Sequence, residues 1–309
     1  MLIGVVCLLH CVALGADDPR VSIRTRTHAP ASPADFRVDS DLVLIPVSVT
    51  DSANHAITGL DRQAFHVFDD KAEQTVLHFA REDAPLSVGI VLDLSGSMID
   101  KLQKSREAVD QFLRIAQPQD EFFLVEFSNQ ARLTVPFTSD TSEVQDRLRH
   151  ARAFGRTALL DAVHLALDTM KGARNARRAL VIISDGGDND SRHTRAEMLN
   201  LVRESDLWIY AMGIYQHHTA VLPEEEQHGE ELLGTLAEES GGRHYTVESL
   251  ADLPDIAGRI GLALRNQYVL GYRPGDTRRD GKYHRVQVKV VEGRRLTVSS
   301  RPGYYDTLK

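Results

Sequence analysis

Asp93, Ser95 and Ser97 alternate directly after an apolar, β-branched run at 88–92. Such a run reads as a strand buried on both faces of a parallel sheet. In an extended or gently turning segment, alternate side chains fall on one side. A carboxylate and two hydroxyls therefore converge at the carboxyl end of a central strand, ahead of a helical pattern that begins near Lys101. All three are hard oxygen donors, which suit Mg2+ or Mn2+ rather than a soft metal. Two distant stretches extend the set. The segment GRTALLDA at 155–162 puts Thr157 in a loop just before a helix, and a second buried strand at 178–184 carries Asp185-Gly186 at its end. Capping of the following helix would account for Asp93 and Ser95 alone, but it has no need of Thr157 and Asp185.

The elements that must position these residues follow from periodicity. Strands at about 86–92, 121–127, 179–184 and 207–213 alternate with helical patterns at about 101–116, 158–171, 194–204 and 230–239. This alternation predicts an α/β fold, a doubly wound and mostly parallel sheet with helices on both faces. A short edge strand is expected at 132–137, a last small strand at 243–246 and a closing helix at 250–264. On either side the pattern changes to alternating strands. At 41–50, Val43, Ile45, Val47 and Val49 share one side, and short strands follow at 65–68 and 75–79 around an Asp69-Asp70-Lys71 turn. After the closing helix, strands are expected at 267–272, 283–291 and 295–300, with turns at Pro274-Gly275 and Glu292-Gly293. Chain ends commonly lie close together in compact domains. Residues 37–84 and 265–309 are therefore expected to form one smaller β-sandwich into which the α/β domain, 85–264, is inserted.

The order D-x-S-x-S, loop Thr, strand-end Asp-Gly resembles the metal-ion-dependent adhesion site of von Willebrand factor type A domains, over roughly 85–264. The flanks, with QYVLGY at 267–272 and RPGYY at 301–305, are similar to those of exported bacterial proteins built on such a core. The resemblance implies a Rossmann-like sheet and a bound Mg2+ (or Mn2+). It implies that Ser95, Ser97 and Thr157 supply hydroxyl ligands, while Asp93 and Asp185 act mainly through bound waters. Two carboxylates balance one divalent cation, and one octahedral position stays open to an Asp or Glu carboxylate of a partner protein. The helix N-terminus after Met98 favours that anion. Asp100 sits where some integrin β subunits place a ligand for an adjacent metal, but the neighbouring Lys101 departs from that pattern, so a second metal is not expected.

Other residues have plainer readings. Asp161, inside the helix after Thr157, is expected to orient that loop rather than bind metal, or equally to be a solvated acidic residue, and Asp188 and Asp190 to form a polar turn. His217, His218 and His228 lack a zinc spacing such as H-E-x-x-H and read as a solvated loop. Trp208 reads as core. The loop at 215–229 carries Glu224, Glu225 and Glu226 and should emerge on the face of Asp93 and Asp185. Those glutamates are expected either to reach the metal or to form a solvated acidic loop. No Gly-x-Ser-x-Gly elbow, P-loop or Gly-x-Gly-x-x-Gly is present, and no His is sequence-local to Ser95 or Ser97; His164 should lie on a helix face. Catalysis is thus not expected. The alternatives are a Mg2+-dependent hydrolase, or a structural envelope component with a vestigial metal site.

The 309 residues, 42% of them hydrophobic, suffice for a large core. Net charge is −8 and there is no long basic run, which argues against nucleic acid. The apolar run at 2–14 is too short to span a bilayer and resembles a signal-peptide core. Residues 1–16 are expected to be cleaved and 17–36 to be a linker, giving an exported protein (periplasmic, cell-surface or secreted) without a membrane span. Cys7 and Cys11 lie in that run, so the mature chain would have no cysteine.

Overall fold

The structure, a computed structural model, describes residues 42–215, 224–275, 281–291 and 295–306. The expected export signal and linker, His217, His218 and the Glu292-Gly293 turn lie outside these residues.

Four strands open the described chain: β1 (Val43–Thr50), β2 (Phe65–Asp69), β3 (Ala72–Gln74) and β4 (His78–Glu82). The α/β part follows with β5 (Leu86–Asp93), α1 (Leu102–Leu113), β6 (Glu121–Phe127), β7 (Ala131–Thr138), α2 (Thr141–His150) and α3 (Leu159–Met170). It continues through β8 (Arg177–Ser184), α4 (Arg195–Glu204), β9 (Trp208–Ile214), α5 (Glu224–Ser240), β10 (Arg243–Val247) and α6 (Leu253–Arg265). Four more strands close it: β11 (Gln267–Tyr272), β12 (Tyr283–Val290), β13 (Thr297–Ser300) and β14 (Gly303–Tyr305).

The large sheet has the order β10-β9-β8-β5-β6-β7, parallel except for β7. All eight residues of β5 and all seven of β6 are buried, as a strand covered on both faces requires. Val88, Ile90 and Leu92 face a core with α1, α2 and α6, while Val91 faces a second core with α3, α4 and α5. Gly89 makes room on that second face. A methyl group there would lie 2.2 Å from a Phe123 ring carbon and 2.6 Å from Leu180. The helices after β5 and β8 leave on opposite faces, so a crevice opens between the carboxyl ends of these adjacent strands.

The flanking strands form two antiparallel sheets, β13-β1-β11-β4 and β14-β12-β2-β3. Each sheet mixes strands from both ends of the described chain, with Ile45 opposite Leu270 and Val67 opposite Val288. Ile45, Val47, Phe65, Val67, Tyr268, Leu270, Tyr272, Val286 and Val288 fill the space between them. The α/β fold with a β-sandwich around it is thus the architecture expected from periodicity.

Some elements differ from expectation. Helix α2 was not foreseen, because its sole buried apolar residues are Val144 and Leu148, one turn apart among charged neighbours. Asp140 caps it by accepting from Ser142 N–H at 2.9 Å. The strand expected at 75–79 lies later, as β4 at His78–Glu82, and the short β3 at Ala72–Gln74 was not foreseen. Helix α5 begins at Glu224 rather than near 230, so Glu224, Glu225 and Glu226 open a helix instead of lying mid-loop. No helix among the described residues is long and apolar enough to cross a membrane.

Candidate metal centre

Asp93 is the last residue of β5 and is fully buried. Its Oδ1 accepts from the Ser95 N–H at 2.7 Å and its Oδ2 from the Ser184 hydroxyl at 2.6 Å. The chain then makes a single 3-10 turn, Gly96–Met98, which sets the Ser95 and Ser97 Oγ atoms 3.0 Å apart. Backbone bonds bring the next loop alongside: Gly96 N–H donates to the Gly155 carbonyl at 2.9 Å, and Phe154 N–H to the Leu94 carbonyl at 2.7 Å. The Thr157 carbonyl accepts from Asn189 and Asp190 N–H groups, and its own N–H donates to Asn189 Oδ1 at 3.0 Å. Thr157 is thereby fixed to the loop after β8. A methyl group placed on Gly187 would lie 3.9 Å from Asp185 Oδ1 and 4.0 Å from Thr157 Oγ1, so these two side chains border one space. Three loops from distant parts of the chain therefore bring the five expected residues to the carboxyl ends of β5 and β8.

The electrostatics show why such a cluster is costly. Burial, and next the charge of Asp185, push the Asp93 carboxyl up to about 7, against the bonds from Ser184 and Ser95. Negative charge here is under-compensated. One cation is already present: the Lys101 ammonium donates to Asp185 Oδ2 at 2.9 Å, with both residues buried. Hydroxyls and carboxylates are the donor set of a hard divalent ion, and the raised Asp93 fits a site built for more positive charge than Lys101 supplies. Sequence reasoning placed neither Lys101 nor Ser184 in this centre. A hydroxyl closing a strand beside Asp185 was the available signal for Ser184. A lysine at a helix start reads as solvated, and only its burial reveals Lys101.

The neighbours of the centre serve as supports. Asp161 Oδ1 accepts from the N–H groups of Arg192 and His193 at 3.0 and 3.1 Å, with His193 Nδ1 at 2.7 Å, so it orients the loop before α4. Burial pushes the Asp161 carboxyl up, but the bonds from His193 and Arg192 outweigh it and bring it down to about 2. Asp188 Oδ1 accepts from Leu160 N–H at the start of α3, and Asp190 pairs with Arg156. His164 stacks on His193 with ring centroids 4.0 Å apart. Trp208 is core. His228 is exposed near the start of α5. Beside it, the Gly229 backbone packs directly on Gly186: a methyl on either glycine would fall within 2.6 Å of the other's backbone, and Gly186 has φ +82°. At the other end of α5, Gly241 (φ +81°) ends the helix and leaves no room for a methyl against the backbone of Arg301. Ile99 and Phe154, 63% and 60% exposed, stand on the loops that carry Ser97 and Thr157.

A different acidic group lies in the sandwich. Asp69, Asp70 and His284 each offer a ligand atom, and these atoms lie within 4.8 Å of one another. Asp69 Oδ2 accepts from the hydroxyls of Tyr272 and Tyr304 at 2.8 and 3.1 Å. Asp70 Oδ1 accepts from Arg285 N–H, and its Oδ2 meets His284 Nδ1 at 2.9 Å. These bonds tie the β2–β3 turn to β11, β12 and β14. The partners are more than 200 residues apart in sequence, which left no local signal.

Comparison with known proteins agrees with the fold. The family model of the von Willebrand factor type A domain matches residues 88–187. Inter alpha-trypsin inhibitor heavy chain 4 of Mus musculus is 32% identical over 146 residues, covering 42% of this chain and 16% of that protein. An uncharacterized protein of Borreliella burgdorferi is 27% identical over 141 residues, 42% of this chain and 41% of that one. The chain thus spans less than half the length of either curated relative. Among solved structures, the von Willebrand factor type A protein of Catenulispora acidiphila superposes with a TM-score of 0.50 at 13% identity, covering 84% of this chain and 71% of that one, a likeness of fold. Residues 88–187, which include Asp93 and Asp185, thus match the von Willebrand factor type A domain, and the fold is like that of a solved protein of this type.

Proposed function

We propose that this chain is a metal-dependent protein-binding module of the adhesion type. In this reading Ser95, Ser97, Thr157, Asp93 and Asp185 hold Mg2+ or Mn2+, and an Asp or Glu of a partner protein completes the site. The observation that carries the reading is the meeting of two buried carboxylates and three hydroxyl residues at one crevice, with Asp93 raised to about 7. Two buried carboxylates share a single ammonium, Lys101, and the charge left over calls for a further counter-ion. A divalent ion would supply it and retain the Lewis acidity to take one more carboxylate. The protein's part is positional. Ser95 N–H and Ser184 hold both oxygens of Asp93, and the Asn189 side chain holds the Thr157 backbone. Ile99 and Phe154 offer exposed apolar contact on the same loops, as a protein-binding surface needs.

Binding rather than catalysis suits the serines as well. Ser95 and Ser97 face each other, while His164 is engaged with His193, so among the described residues neither hydroxyl has an imidazole base bonded to it. Export, expected from the run at 2–14, belongs to the same reading. Calorimetry with Mg2+ on the native protein and on Asp93→Ala tests it. Native protein is expected to bind, and the variant to melt cooperatively without binding, since Asp185 keeps its ammonium partner. Unchanged affinity in the variant would overturn the assignment.

A further inference from the structure

We infer that Lys101 is a built-in counter-ion that makes metal binding and carboxylate binding at this centre depend on each other; the inference rests on the metal-dependent reading above. Lysine normally extends its stem so that the ammonium stays in water. Lys101 does the opposite: it is 5% exposed and its Nζ lies 2.9 Å from Asp185 Oδ2. Its backbone has little freedom to withdraw. The Lys101 N–H donates to the Met98 carbonyl, and the Lys101 carbonyl accepts from both the N–H and the hydroxyl of Ser105. The residue sits between the turn that carries Ser95 and Ser97 and the first turn of α1, so the same short segment supplies two hydroxyls and a cation.

Counting charge gives the consequence. Asp93 and Asp185 with Lys101 sum to −1. A divalent ion alone brings the centre to +1, and it must approach an ammonium already seated on one of its carboxylates. An incoming carboxylate returns the sum to zero. The metal alone is therefore held weakly and metal plus carboxylate strongly, since like charges in a water-poor site repel far more than in bulk water. Without Lys101 the two carboxylates would balance the ion unaided, and an added carboxylate would bring no such gain. Lys101 thus keeps the centre from filling firmly until an acidic partner is present.

Mn2+ calorimetry on the native chain, Lys101→Met and Lys101→Gln tests this, in chloride and in acetate at equal ionic strength. In chloride both variants are expected to bind Mn2+ roughly tenfold more tightly than native protein. Acetate is expected to strengthen native binding and to leave the variants nearly unchanged. The Gln variant retains a donor to Asp185, so it gives the answer if Met at this buried position prevents folding. Equal Mn2+ affinity of native and variant proteins in both salts would overturn the role of Lys101 and leave the metal reading standing. Absence of Mn2+ binding to native and variant proteins alike, in acetate as well as chloride, would overturn both.

Discussion

Asp93 and Asp69 are both carboxylates buried at the end of a strand, one in each part of the protein, and they are satisfied by different means. Asp93 receives one backbone N–H and one serine hydroxyl, and it shares its crevice with a second carboxylate and an ammonium. Asp69 receives two tyrosine hydroxyls on Oδ2, and its Oδ1 has no hydrogen-bond partner among the described residues. Burial and the bond to Asp69 push the Tyr272 phenol well above its ordinary range, so it stays a donor. The first arrangement concentrates charge at an open rim formed by loops. The second spreads one charge over neutral donors and binds strands from opposite ends of the chain. Burying a carboxylate near the crevice therefore concentrates charge there, while burying one in the sandwich closes a structure.

The largest test of that contrast removes residues 266–309, which hold β11 to β14. Strand β1 would lose both neighbours, β11 and β13, and Ile45 and Val47 would lose the core they pack in. Each such side chain is worth about 1.5–3 kcal/mol of burial. The fragment 37–265 is expected to aggregate on size-exclusion chromatography; a soluble, cooperatively melting monomer would show that the two flanks fold separately.

A smaller effect is expected at Asp161, whose bonds from His193 and Arg192 are charge-assisted. Asp161→Asn should cost about 2 kcal/mol at neutral pH. Because folding lowers this carboxyl to about 2, its contribution is full above its unfolded value and fades as pH falls through about 2. Denaturation curves of native and variant protein should therefore converge in strong acid, and a gap that persists there would show that geometry, not charge, is at stake. The least effect is expected from Tyr272→Phe. It removes one donor to Asp69 while Tyr304 remains, at a cost of about 1 kcal/mol by urea denaturation. A loss as large as that at Asp161 would mean that the sandwich depends on charge as strongly as the α/β unit does.

The parts legible in the sequence are those written locally. Strand-end placement of Asp93 and Asp185, the loop position of Thr157 and the inward side of β1 all follow from periodicity over a few residues. Helix α2 was hidden because two buried apolar residues are too few to define a period. The early start of α5 was hidden by its opening run of glutamates, which reads equally well as a solvated loop. Lys101 could be read only as a break in a pattern, since its burial is decided by the fold around it. Asp69 and Tyr272 meet across 203 positions, beyond any local signal.

Helix α5 gives the fold a mechanical property. Its Gly229 lies backbone to backbone against Gly186, next to Asp185, and the glycine that ends it is pressed against Arg301 in the sandwich. From Gly229 to Gly241 is roughly 18 Å of helix at 1.5 Å per residue. With no side chain at either of these two contacts to yield, this stretch of α5 is a strut without slack. Under the proposed binding reading, a load taken up at the strand ends would pass along α5 into the β-sandwich.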